Sequence, residues 1–142
     1  MRPLLFIAAL AAVLTAGAAS GRMLEQGSDT IPTAYPAATA RYQALLTPAQ
    51  RRLPWLARFD GVTAPLHEID FGDHVMLMGW SCKPHDCGDN QVIVLFARDG
   101  SRAVARIVIG GEANAAFVGA PDARERACMS RPHDGPTDSD HC

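Results

Sequence analysis

An excess of basic charge is the first thing this chain lacks. Its 142 residues carry 13 Lys and Arg against 15 Asp and Glu, a formal net charge of −2. A nucleic-acid-binding face calls for clustered positive charge, so this balance argues against nucleic acid as a partner. An apolar run long enough to cross a bilayer is missing too. The longest, Leu4 to Leu14, is about half of the ~20 residues that a spanning helix needs. There is no repeat array, no Ser or Thr nucleophile constellation and no Cys-x-x-Cys motif. These absences argue against a solenoid, a membrane-spanning protein, a serine hydrolase and a thioredoxin-like oxidoreductase.

What is present begins with an export signal. Arg2, the apolar run and the small residues Ala16-Gly17-Ala18 predict cleavage after Ala18 or within the next two residues. No cysteine lies near that point, which argues against a lipid anchor. Losing Arg2 leaves 12 basic against 15 acidic residues, 12 − 15 = −3, a mildly acidic mature chain that allows a basic protein partner. The expected location is the periplasm, with no membrane contact after signal removal and no cofactor. The chain divides into a signal peptide (1–20), a loosely tied N-terminal arm (21–36), one domain (37–129) and an extended or disordered tail (130–142).

Within the domain, helix formers from Ala37 to Leu46 place Tyr42, Leu45 and Leu46 on one face. Thr47-Pro48-Ala49-Gln50 has the form of a capping box opening a short helix, which Pro54 should interrupt. After Gly61 the period changes to that of strands: Leu66–Phe71, His74–Trp80, Gln91–Ala97 and Ala103–Ile109. Asp99-Gly100 carries the signature of a tight hairpin between the last two, and Arg106 suggests that one face of the last strand meets water. Pro121 to Met129 reads as a final short helix. Helices, then closely spaced strands, then a helix predict α+β, with a central antiparallel sheet and short helices packed beside it.

All four cysteines, Cys82, Cys87, Cys128 and Cys142, lie in the exported part. An even number there suggests two disulfides, with three pairings possible. Cys82 and Cys87 are close enough in sequence to bridge the tip of a hairpin, which would make a protruding, disulfide-closed loop around Lys83, Pro84, His85 and Asp86. Such a bridge, with Pro84, would hold His85 in a nearly fixed pose, and little ordering entropy would remain to be lost on binding. A neutral imidazole donates one hydrogen bond and a protonated one two, so the tip suits an acidic cleft. Other readings stay open. The loop could be a plain stapled turn, or Cys82, His85 and Cys87 could serve redox or metal chemistry. Cys128 and Cys142 could bridge, or join His133 and His141 in a soft metal site. Pro132-His133-Asp134 repeats Pro84-His85-Asp86 by chance among turn-forming residues. His67 and Glu68 fall on opposite sheet faces and so make a poor catalytic pair, while Met76, Met78 and Trp80 share one face as core. No catalytic or metal-binding residues are assigned.

The hexapeptide Cys82-Lys83-Pro84-His85-Asp86-Cys87 resembles the signature of the bacterial periplasmic inhibitors of vertebrate lysozyme, the Ivy family. The likeness spreads through Asn90-Gln91 and Leu95-Phe96, and more weakly to Gly119-x-Pro121-Asp122, covering about residues 64–127. It implies a sheet-and-helix body whose loop enters the active-site cleft of chicken-type lysozymes, where the histidine meets two catalytic carboxylates. His85 would then be the contact residue, Lys83, Pro84 and Asp86 its support, and Cys82–Cys87 the clamp. The cell's own lytic transglycosylases, which act on the same glycan, are the alternative target. A homodimer is among the implied assemblies. The C-terminal tail departs from the family and could cover or extend the subunit contacts.

Overall fold

The computed structural model describes residues 19–131 and 142. Residues 1–18 of the expected signal peptide and the tail residues His133, Asp134 and His141 lie outside them, while Ser20, the last residue expected in that signal, opens β1. Seven strands form one sheet in which every pairing is antiparallel: β1 (Ser20–Gly27), β2 (Val62–Thr63), β3 (Pro65–Asp70), β4 (Val75–Cys82), β5 (Asn90–Phe96), β6 (Ala103–Ile109) and β7 (Ala116–Val118). Their order is β1-β3-β4-β5-β6-β7, with β2 beside the end of β4. The helices are α1 (Ile31–Ala34), α2 (Pro36–Gln43), α3 (Pro54–Ala57) and α4 (Ala123–Met129). This is the expected α+β architecture.

Apolar residues cover both sheet faces. On one, Ile31, Ala38, Tyr42, Leu46, Trp55, Leu56 and Phe59 from the helical segment pack on Leu66, Leu77, Val92, Val94, Phe96, Ala105 and Ile107. On the other, Cys128 and Met129 of α4 join Ile69, Phe71, Met76, Met78, Ile93, Leu95 and Val104. A strand buried on both sides needs no alternation, so Val92–Phe96 is a continuous apolar run.

Several expectations change on this frame. The arm expected at residues 21–36 holds strand β1, paired along β3 from Ser20↔Asp70 to Gly27↔Pro65, followed by α1. Thr47 and Gln50 do form a capping box, each backbone N–H donating to the other's side chain, at 2.9 and 3.2 Å. It opens a single 3-10 turn, Gln50–Arg52, and Pro54 starts the next helix where it was expected only to interrupt. The Asp99-Gly100 connection is a four-residue loop closed by Ala97 N–H to Arg102 C=O at 2.9 Å, with Gly100 at φ 74° supplying the left-handed residue. Arg106 does not mark a wet face. It sits level with Ile93 and Phe117 on the α4 side and is paired with Glu112 from the turn before β7, its side chain 11% exposed.

Candidate functional site

The loop leaves the sheet where β4 ends. Cys82 is fully buried, paired across to Gln91 on one side and to Val62 on the other. Its disulfide to Cys87 spans 5.0 Å between Cα atoms. From this anchored base Lys83, Pro84 and His85 are exposed, while Asp86 and Cys87 are half-buried.

A reverse turn shapes the tip. Asp86 N–H donates to Lys83 C=O at 3.0 Å, which makes Pro84 and His85 its central residues. Proline suits the first central position because its ring fixes φ. The second, where His85 sits, has φ 64°. That left-handed conformation favours glycine, although histidine is among the side chains that tolerate it best. A strained residue at an exposed tip points toward function. The imidazole makes no hydrogen bond among the described residues and faces solvent.

Asp86 works inward. Its Oδ2 accepts from Lys83 Nζ at 2.8 Å and from Asn90 Nδ2 at 2.8 Å. The bond from Lys83 holds the Asp86 carboxyl below its ordinary value against a smaller opposing effect of burial, and Asn90 adds to the lowering. Two further bonds close the neck: Lys83 N–H to Asn90 C=O and Asn90 N–H to Asp86 C=O, both 3.0 Å. The charge at the tip is thus a lysine shared with its own aspartate beside an unencumbered imidazole. Such a tip presents donors, and it fits a cleft that supplies carboxylates.

The other sequence-level candidates fall elsewhere. His67 is buried in the sheet, while Glu68, on the opposite face, pairs with Arg98 at 2.7 Å and Arg22 at 3.4 Å. Cys128 and Cys142 form the second disulfide, and none of the four cysteines is free. Among the described residues no group of three or more His, Cys, Asp or Glu could hold a metal ion.

Sequence reasoning missed an ionic cluster at the opposite end of the sheet. Glu125 of α4, fully buried, accepts two bonds from Arg102, at 2.8 and 2.6 Å, and one from Asp122 N–H at 2.7 Å. Burial alone would raise its pKa, and these partners bring it below the ordinary range. Asp73, held down to about 2 chiefly by the Arg124 guanidinium, also accepts from His74 Nδ1 at 2.8 Å. The cluster borders a hollow of about 290 Å³ and fastens α4 to the sheet. A signal existed in Asp122-x-x-Glu125, a capping box whose partners both bond as that motif demands.

A small α+β protein whose sheet carries a disulfide-closed loop at one end is a class this geometry defines. Comparison with known families narrows it: the model for the inhibitor of vertebrate lysozyme (Ivy) matches residues 37–122. The chain belongs to that family. An uncharacterized protein of Yersinia pestis is 35% identical over 65 residues, covering 45% of this chain and 42% of the relative. The inhibitor of vertebrate lysozyme of Pseudomonas aeruginosa is 35% identical over 49 residues, covering 34% of this chain and 32% of the relative. The matched stretches thus span less than half the length of either relative.

Proposed function

We propose that this chain is a periplasmic inhibitor of chicken-type lysozyme that blocks the active-site cleft with the loop Cys82–Cys87. The observation that carries the reading is His85: exposed, left-handed, free of internal hydrogen bonds and mounted on a cross-linked turn. Membership of the Ivy family supports it, as does the name of the Pseudomonas relative.

The chemistry follows from the target's own geometry. A retaining glycosidase holds its acid and its nucleophile about 5–5.5 Å apart. One imidazole, offering a nitrogen to each, bridges that gap, and in its protonated form both bonds are charge-assisted. Lys83, held by Asp86 but still exposed, adds further donors at the mouth of the cleft. Stiffness matters as much as charge, because a loop ordered before contact loses little entropy on contact. The protein performs no reaction in this account. It occupies the position where the sugar would be distorted.

A clearing assay tests the reading. Purified mature protein should slow the lysis of peptidoglycan suspensions by chicken-type lysozyme in proportion to its concentration. Unchanged clearing at excess protein would refute inhibition of this enzyme. A parallel assay with a purified lytic transglycosylase separates the alternative target from the first.

A further inference from the structure

We infer that Asn90 is a positioning residue for the inhibitory loop, and that the turn between β6 and β7 is the fixed point from which it acts. The inference rests on the reading just proposed and adds a residue outside the hexapeptide.

The observations form a chain from the sheet to the tip. Asn90 opens β5, opposite Ile109 at the end of β6. Its side chain reaches both ways. Oδ1 accepts from Gly110 N–H at 3.2 Å, and Nδ2 donates to Asp86 Oδ2 at 2.8 Å. Asp86 in turn holds Lys83 Nζ, and the backbone bond from Asp86 to Lys83 closes the turn that carries His85. A second bond ties the same two segments, from Gly111 N–H to Asp89 C=O at 2.9 Å. The β6–β7 turn can make both because Gly110 (φ 76°) and Gly111 (φ 102°) adopt backbone that side chains rarely allow. It is held in place itself by Asn114 Nδ2 to Gly110 C=O at 2.8 Å, and by the pair of Glu112 with Arg106.

The disulfide cannot do this work alone. It joins Cys82 to Cys87, closing the loop's neck, and leaves the carboxylate of Asp86 to be oriented by other groups. Asn90 matches the site in each donor and acceptor: an amide can donate to a carboxylate and accept from a backbone N–H at once. Aspartate there would set two carboxylates against each other, and leucine would leave both partners unmet.

Inhibition constants and loop order, measured together, test this. Asn90→Ala should weaken inhibition by about tenfold, as expected when hydrogen bonds that order an interface are lost. Amide exchange at Lys83–Asp86 should quicken, while exchange in β4 and β6 stays as in the wild type. In a His85→Ala background the same change should cost almost nothing, because Asn90 acts through that ring. Asn90→Asp keeps an acceptor for Gly110 N–H but sets a carboxylate against Asp86, so it should weaken inhibition at least as much as Asn90→Ala. Full inhibition by Asn90→Ala or by Asn90→Asp, or an undiminished effect in the His85→Ala background, would overturn the inference. A wild-type protein that does not inhibit would instead refute the underlying reading, and the amide-exchange result would still report on the relay. If Asn90→Ala does not fold, Asn90→Asp carries the same comparison.

Discussion

His85 occupies the position of its turn where glycine would be most comfortable. A left-handed non-glycine residue costs of the order of 1 kcal/mol, and glycine there gives back part of that through its freer unfolded chain. His85→Gly should therefore leave the thermal midpoint of unfolding unchanged or slightly raised while inhibition weakens by about tenfold or more. A clear fall in the midpoint would mean that the ring packs against the body. Asp86 gives the second residue-scale expectation. Its folded pKa lies below the unfolded value of about 3.9, so its contribution to loop order is complete above that value and is lost as pH falls through the folded one. Amide exchange at Lys83–Asp86, corrected for intrinsic rates, should be flat from about pH 8 to about pH 5 and quicken only below about pH 4. Quickening already near pH 6 would point to a histidine as the controlling group. The hexapeptide was legible at this scale because its identities are unusual together. The left-handed φ was not, since nothing in Pro-His-Asp dictates which turn type forms.

Elements differ in how plainly they announce themselves. Strands β4, β5 and β6 stand close to their expected bounds, because apolar β-branched runs bounded by turn residues have few other uses. Strand β1, Ser-Gly-Arg-Met-Leu-Glu-Gln-Gly, does not. It is a mostly exposed edge with Met23 55% exposed, so burial imposes no alternation on it. Three-residue β7 is too short to show a period at all. The helix α4 was legible through Pro121 and its polar start, although its buried carboxylate was not, because only the fold brings Arg102 to Glu125. Asp122 caps that helix by accepting from Glu125 N–H at 2.8 Å. Asp122→Ala should destabilise the protein by about 1 kcal/mol, measured by denaturant unfolding, and should leave inhibition intact since Asp122 sits beside Arg102, at the other end of the sheet from the loop. A loss of inhibition without loss of stability would tie α4 to the target surface.

At the scale of the molecule the two disulfides serve different ends. Cys128–Cys142 spans 14 residues of sequence and ties the chain's last residue to α4 on the second core face. A ring of that length stabilises by about 3 kcal/mol in the chain-entropy account, against about 2 kcal/mol for the smaller ring at 82–87. Replacing Cys128 and Cys142 by serine should therefore lower the unfolding midpoint and leave the inhibition constant nearly unchanged. Replacing Cys82 and Cys87 should cost less stability and far more inhibition. The reverse ranking would assign the recognition surface to the tail. Location follows the same logic, because both bridges call for an oxidising compartment. Among the described residues no helix is long and apolar enough to cross a membrane.

The most direct test compares the inhibition constants of wild type and His85→Ala against chicken-type lysozyme under one set of conditions. Loss of a charge-assisted bond at an interface costs about 1–3 kcal/mol, so the variant should inhibit roughly tenfold to a hundredfold more weakly with its fold intact. Equal constants for the two proteins would contradict the account.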